Sequence, residues 1–425
     1  MKTNFSNTNV HLQVVLFLTC WACLSGQCFE DMDSTPGPQR LLAALDRLFR
    51  ASNRFGIRML QALNSSSEEN AFFSPFSVWS SMILLFLGAR GTTEKELEAI
   101  LGFQSMNKSV VAHSYQSLKH WFTSKVRTSA HTSFTMVNNL FLQKDLRVRN
   151  CLLQFLDDHL AYVDFSQSPE LARLAINYLV RRETKNRINE ILPPFSVRSF
   201  TQFIVTSTLY FKGAWLQPFH ALATQPRPFF LSHLDSVLVE TMSTRDTFLY
   251  ATSDELQCAA LEVPYVGRSL TLVALLPRNK VHGVQILIRS LTEARLHQLM
   301  EDMFPRHVLL LMPKFEMEDS YQLSSTLLKM GLRDLSAGAL NLTGFVPDRP
   351  LEMNALFHKS FIAVDEKGTE AASGSATALS RSSRPASIVE FVLDRPFLFF
   401  IRENHSRSIL FMGVVRNPRI TKMHH

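Results

Sequence analysis

Residues 363–387, AVDEKGTEAASGSATALSRSSRPAS, constrain this chain more than any other stretch. From Thr369 to Thr377 every residue except Glu370 is Ala, Ser, Thr or Gly, and strongly apolar sequence lies on both sides. Small polar residues are ordinary in a solvent-exposed linker. Placed in a strand, however, period two puts Thr369, Ala371, Ser373, Ser375 and Thr377 on one face and Glu370, Ala372, Gly374 and Ala376 on the other. The only charge then points away from the first face. The ribbon is therefore compatible with two states, an exposed loop and an inserted strand, although its Ala and Gly make it a weak strand alone.

The 425 residues, 46% hydrophobic, are enough to bury a substantial core. No repeat and no Pro-, Gly- or Ser-rich linker divides them, so one domain is expected over residues 41–420, with a flexible lead at 27–40 and a loose tail at 421–425. The formal charge of +7 permits an anionic partner without requiring one. Lys2 precedes an apolar run at residues 12–24, followed by Ser25 and Gly26, which reads as a signal peptide over 1–26 and a secreted, extracellular protein. That run is too short to span a bilayer comfortably, and neither a membrane nor a nucleic-acid partner is expected. Four acceptor sequons, at Asn64, Asn107, Asn341 and Asn404, fit a glycoprotein. Past the leader only Cys28, Cys151 and Cys258 remain, too few for a disulfide scaffold, so the core must supply stability.

Apolar spacing predicts an amphipathic helix over 41–63 and a second after SPFS, opened by Pro75 and stopped by Gly88 and Gly91. Strand-like runs occur at 134–141, 203–211, 270–276 and 308–312, with helical stretches around 171–191 and 287–300. Near the C-terminus two apolar runs flank the polar turn 403–407, a hairpin pattern. Together these describe an α+β domain with large sheets. Catalytic templates are missing: the chain has no G-x-S-x-G elbow, no H-E-x-x-H helix, no G-x-x-x-x-G-K loop and no G-x-G-x-x-G turn. Neither a catalytic nor a metal-binding set stands out.

NALFHKSFIAVDEKGTEAASGSATA, followed by DRPFLFFIRENHSRSILFMGVVRNP, resembles the hinge and C-terminal signature of the serpins, the serine protease inhibitors. NAFFSPFSVWSSMILLFLGARGTTEKEL, LYFKGAWLQPF and LMPKFEMEDSYQLSSTLLKMGL match other family segments in the family's order. The resemblance implies about nine helices, three sheets and an exposed reactive loop that a protease cuts and that then inserts as a strand, a form of strand addition for which serpins are themselves a standard example. It implies inhibition of trypsin-like serine proteases as covalent targets, or else a non-inhibitory carrier, hormone precursor or chaperone. A monomer without cofactors is expected.

By the same resemblance, Glu366, Lys367, Gly368, Thr369, Glu370, Ala371 and Ala372 are the hinge, with Thr369 the first side chain to be buried on insertion. Ser74, Ser77, Ser207 and His358 are the shutter, and Trp215 belongs to the breach at the top of the main sheet. Ser207 stands where the family usually has Asn, which offers more hydrogen bonds. Taking Glu366 as the seventeenth residue before the cut selects Ser382-Ser383, and a shift by one selects Arg381-Ser382. The second is preferred because Arg381 suits an acidic specificity pocket. Lys119, Lys125 and Arg127 fall where some serpins bind heparin, making a glycosaminoglycan a candidate partner, although a solvated charged face explains them as well.

Overall fold

The computed structural model describes residues 38–419 apart from 65–67, 105, 126–131, 281, 337–339, 347–350, 352 and 370–387. The expected signal peptide, Cys28, Arg127, the C-terminal tail, Glu370, Ala371, Ala372 and the candidate bonds at Arg381, Ser382 and Ser383 lie outside the described residues. Among the described residues the helices are α1 (Pro38–Leu63), α2 (Pro75–Gly88), α3 (Gly91–Leu101), α4 (Lys108–Lys125), α5 (Asn150–Leu156), α6 (Pro169–Glu183), α7 (Gly283–Ser290), α8 (Glu293–Glu301) and α9 (Ser324–Met330).

Six strands build the main sheet: β2 (Thr132–Gln143), β3 (Leu160–Val163), β4 (Phe203–Ala214), β10 (Phe315–Gln322), β11 (Met353–Val364) and β12 (Gly368–Thr369), in the order β10-β11-β12-β4-β2-β3. The remaining strands are β1 (Ala71–Phe73), β5 (Gln225–Phe230), β6 (Ser236–Ser253), β7 (Cys258–Pro264), β8 (Leu270–Pro277), β9 (Phe304–Pro313), β13 (Val389–Val392), β14 (Phe397–Glu403) and β15 (Ile409–Val415). They form one sheet where sequence reasoning expected two. The cause is β6, whose 18 residues pair with β5 and β9 and then with β7.

Burial on both sides explains the central strands. Phe203, Val205, Leu209 and Phe211 of β4 point into the large core that also takes Phe76, Val78 and Trp79 of α2, while Ile204 points into a smaller core under α6. Strands covered on both faces lose the polar alternation of a half-exposed sheet, and β4 is apolar or small almost throughout. Helix α2 is buried at every position, so it sits inside the molecule and not on its surface. Ser74 caps it by accepting from the Ser77 amide, and Pro75 occupies the first turn, where its missing N–H costs nothing.

Three boundaries differ from expectation for local reasons. Gly91, with φ 60°, does not end α2 but opens α3. The helix expected through residue 191 stops at Glu183, because Lys185 and Asn186 turn left-handed and the Thr184 hydroxyl donates to the Val180 carbonyl. The stretch 287–300 is two helices, α7 and α8, with Thr292 capping the second.

Candidate functional site

Strands β4 and β11 run parallel and pair directly from Met353 opposite Phe203 to Phe361 opposite Tyr210. Beyond that point they part, and the two-residue strand β12 lies between them. Thr369 pairs with Val364 on one side and Gly213 on the other, and Gly368 pairs with Ala214. The hinge was expected outside the sheet until cleavage. Instead Thr369 is already fully buried, and its hydroxyl lies 2.7 Å from the Tyr265 phenol oxygen.

The seat is tight. A Cβ on Gly368, whose φ is +154°, would come within 2.0 Å of the Gly213 carbonyl oxygen, and one on Gly213 would come within 2.4 Å of the Phe211 ring. Glycine is needed at 368 because the backbone of Gly213 and Ala214 passes too closely for a side chain, and at 213 because the Phe211 and Tyr265 rings fill the space. Trp215, fully buried, stacks on Tyr265 at 4.6 Å, and its indole N–H donates to the Asp365 carbonyl at 2.9 Å. The Trp215 amide donates to the Lys367 carbonyl, and the Phe219 amide to that of Glu366. Asp365 closes the turn by accepting from the Lys367 and Gly368 amides. Burial alone would raise the Glu366 carboxyl, but the Lys314 ammonium at 3.0 Å and the Thr224 hydroxyl at 2.8 Å hold it below the usual range. The turn is thus fastened to β4 and to the segments beside it.

Further down the same seam lies the shutter, and all four expected residues meet there. Asn138, Ser207 and His358 stand side by side on β2, β4 and β11. Ser207 Oγ donates to Ser77 Oγ at 2.9 Å, and Ser77 Oγ donates to Asn138 Oδ1 at 2.7 Å. The Asn138 amide returns a bond to the Ser77 carbonyl, and the Ser74 hydroxyl donates to the Leu410 carbonyl. Sequence reasoning missed Asn138, which supplies across the strand pair the amide absent at position 207.

The His358 tautomer follows from its neighbours. A backbone N–H can only donate, so Nε2, 2.9 Å from the Ser74 amide, accepts; Nδ1, 2.9 Å from the Ser207 carbonyl, therefore carries the proton. The ring is neutral, and burial pushes its pKa down to about 3. A proton on Nε2 would face another donor.

The remaining candidates are scattered. Lys119 on α4 is ion-paired with Asp158 at 2.8 Å. Asn64 is buried, and its Nδ2, the atom a glycan would occupy, donates to the Leu60 carbonyl. Asn107 is exposed, and Asn341 and Asn404 are half-buried. Cys258 is a free buried thiol, pushed up to about 12 by burial, whereas Cys151 is disulfide-bonded.

A sequence model of the family described as serpin (serine protease inhibitor) matches residues 50–418. Leukocyte elastase inhibitor of Sus scrofa is 34% identical over 391 residues, covering 88% of this chain and all of that protein; serpin B3 of Homo sapiens is 30% identical with the same coverage. Uncleaved ovalbumin superposes with a TM-score of 0.77 at 24% identity, covering 87% of this chain and all of that one, which bears on fold alone. The chain belongs to the serpin family, a group that includes protease inhibitors as well as members that do not inhibit.

These relatives correct the expectation of secretion. Leukocyte elastase inhibitor and serpin B3 are intracellular serpins that lack signal peptides. A short apolar run behind one lysine is a pattern of composition, and here it pointed to the wrong compartment.

Proposed function

We propose that this chain inhibits serine proteases of trypsin-like specificity as a suicide substrate. The protease serine hydroxyl attacks the Arg381 carbonyl carbon and gives its proton to the catalytic histidine. The Arg381-Ser382 amide bond breaks, the proton passes to the new Ser382 amine, and Arg381 remains bound to the protease as an ester. With its C-terminal tether gone, the ribbon from Glu370 onward continues between β4 and β11 and carries the esterified protease with it. Distortion of the protease site then prevents water from releasing it. Ser382-Ser383 is the alternative bond.

One observation carries this reading: Thr369 already sits between β4 and β11, in line with the seam that the rest of the ribbon would fill. The residues following it, through Thr377, bring only one charge. Below the seat β4 and β11 are held by their own ladder from Tyr210 opposite Phe361 to Phe203 opposite Met353, backbone groups whose hydrogen bonds a new strand can replace with its own.

The test is a gel. Incubation with trypsin is expected to give a complex that survives boiling in detergent, with a released peptide whose mass locates the cut. Thr369→Arg should be cleaved without forming that complex, because a guanidinium cannot be buried opposite Tyr265 without a partner. Cleavage without any complex across a broad protease panel would favour a carrier, and unchanged trapping by the Arg variant would contradict insertion.

A further inference from the structure

Helix α6 is apolar on two opposite sides. Ala172, Ile176 and Val180 turn inward, onto the smaller core that includes Ile204 of β4 and Phe357 of β11. Leu171, Leu174 and Tyr178 follow one another at helical spacing on the outer side, where they are 67%, 49% and 63% exposed. A helix with one covered face ordinarily carries polar residues on the other. The chain then returns alongside: the Asn177 side-chain oxygen accepts from the Ile191 and Leu192 amides, and the Arg173 guanidinium donates to the Leu192 carbonyl. Phe195 follows within about 11 Å of Leu192, 75% exposed and at a left-handed φ of 62°.

On this side of the molecule the carboxylates are engaged and the cations are not. Glu170 and Glu190 both bind Arg173, at 2.7 and 2.6 Å, and Glu183 accepts from the Asn139 amide. Past Tyr178 the outer stripe continues as Arg181, Arg182 and Lys185, all exposed. Arg181 donates to the Asn186 side chain, Arg182 reaches Glu183 only at 4.0 Å, and Lys185 has no ion-pair partner among the described residues. Leucines and an aromatic ring beside available cations are the composition of a helix that rests on an anionic membrane. A soluble polyanion would use the cations and leave the leucines in water.

We infer that the outer stripe of α6 docks on an anionic lipid surface. Leu171, Leu174 and Tyr178 enter the headgroup region, and Arg181, Arg182 and Lys185 meet the lipid phosphates and carboxylates. The helix lies on the bilayer and does not cross it, since no helix among the described residues is long and apolar enough to span one. Sequence reasoning expected no membrane partner because it looked for continuous apolar runs, whereas this stripe is assembled by helical spacing. Each cation close to an anionic membrane strengthens binding about fivefold, so the contact is also sensitive to salt. No residue of the ribbon takes part, and the inference stands apart from the inhibitor reading.

The test is co-sedimentation of the whole chain with vesicles of phosphatidylcholine alone and of phosphatidylcholine mixed with phosphatidylserine. Binding is expected to the mixed vesicles and to be at least tenfold weaker on phosphatidylcholine alone. Leu174→Glu/Tyr178→Glu and Arg181→Glu/Arg182→Glu should each weaken binding to the mixed vesicles tenfold or more, with an unchanged melting temperature because all four side chains are exposed. Leu171→Ser/Leu174→Ser replaces the first variant if that one fails to fold. In Tyr178→Trp, the added fluorescence should shift to shorter wavelength on the mixed vesicles and be quenched by lipids brominated near the headgroup. No binding to the mixed vesicles, or no shift of the tryptophan, would overturn the inference. So would binding that survives loss of the apolar stripe and falls only with the arginines, which would reduce the face to a polyanion site. Sedimentation showing that the stripe joins two copies of this chain without lipid would overturn it as well.

Discussion

The Tyr265 phenol and the Thr369 hydroxyl, 104 residues apart in sequence, meet at 2.7 Å in a site with no solvent exposure. Tyr265 is fixed from behind by Trp215, stacked at 4.6 Å, and by Phe211, whose ring meets it edge-on at 4.9 Å. A rigid aromatic pair therefore holds the first residue of the ribbon in place before any protease arrives. Replacing Tyr265 by Phe keeps the stacking and removes one buried hydrogen bond, which should cost about 1 kcal/mol of stability. Chemical denaturation measures that loss, and more frequent cleavage of the hinge by a non-target protease would report the weakened seat.

Gly368→Ala should have a larger effect through geometry alone. Its methyl would collide with the backbone of Gly213 and Ala214, and no rotamer relieves a clash made by Cβ. Expelling Thr369 or straining the backbone should cost about 2 kcal/mol. More molecules should then be cleaved per protease trapped, and a shift in Trp215 fluorescence should accompany the change. Unaltered stability and stoichiometry would show that the seat is not required.

Asn138→Ala removes both bonds between that side chain and Ser77 and leaves a cavity between β2 and α2, although the Ser77 hydroxyl can still donate to the Thr208 carbonyl and the Ser77 carbonyl still accepts from the Ser81 hydroxyl. A loss of about 2–3 kcal/mol is expected. Because Asn138, Ser207 and His358 line up across the seam, the variant should also convert spontaneously, on warming, to a form with its ribbon inserted. Native gels in urea separate the two forms, and a variant that merely unfolds at lower temperature would argue against a latch.

Stability should fall on acidification below neutrality. Burial lowers His358 to about 3 and, with the Lys119 charge adding to burial, His159 to about 4, whereas an unfolded histidine titrates near 6.5. Between those values the unfolded chain binds the extra protons. The contribution of neutral histidine is thus complete above pH 6.5 and is lost as the pH drops toward the folded values, with a slope of up to about 1.4 kcal/mol per pH unit for each ring. Urea unfolding from pH 7.5 to 4.5 measures it, and His159→Asn should remove about half the slope. A flat profile would mean that neither ring is held neutral.

Features written in consecutive residues were readable from the sequence. The small-residue ribbon, the Ser74-Pro75 helix start and the hairpin between β14 and β15 each carry their own local chemistry, and each appears where expected or, for the ribbon, at its described beginning. The seat for Thr369 was not readable. Tyr265, Lys314, Thr224 and Gly213 come from separate strands and loops, and nothing in their spacing marks them as neighbours of Glu366 or Gly368. Ser207 looked like a weakened latch because the compensating amide, Asn138, lies 69 residues earlier and meets it only through sheet register. Compartment was misread for a different reason, since leader-like composition says nothing about the body of the fold that follows it.

The short strand at Gly368–Thr369 also protects the molecule from its own kind. A strand from another copy that entered the middle of the main sheet would have to prise open the seam between β4 and β11. Its upper mouth is stoppered by the resident chain, and below that the two strands are laced together from Tyr210 and Phe361 down to Phe203 and Met353. Head-to-tail chains of molecules should therefore grow only after that stopper has been dislodged.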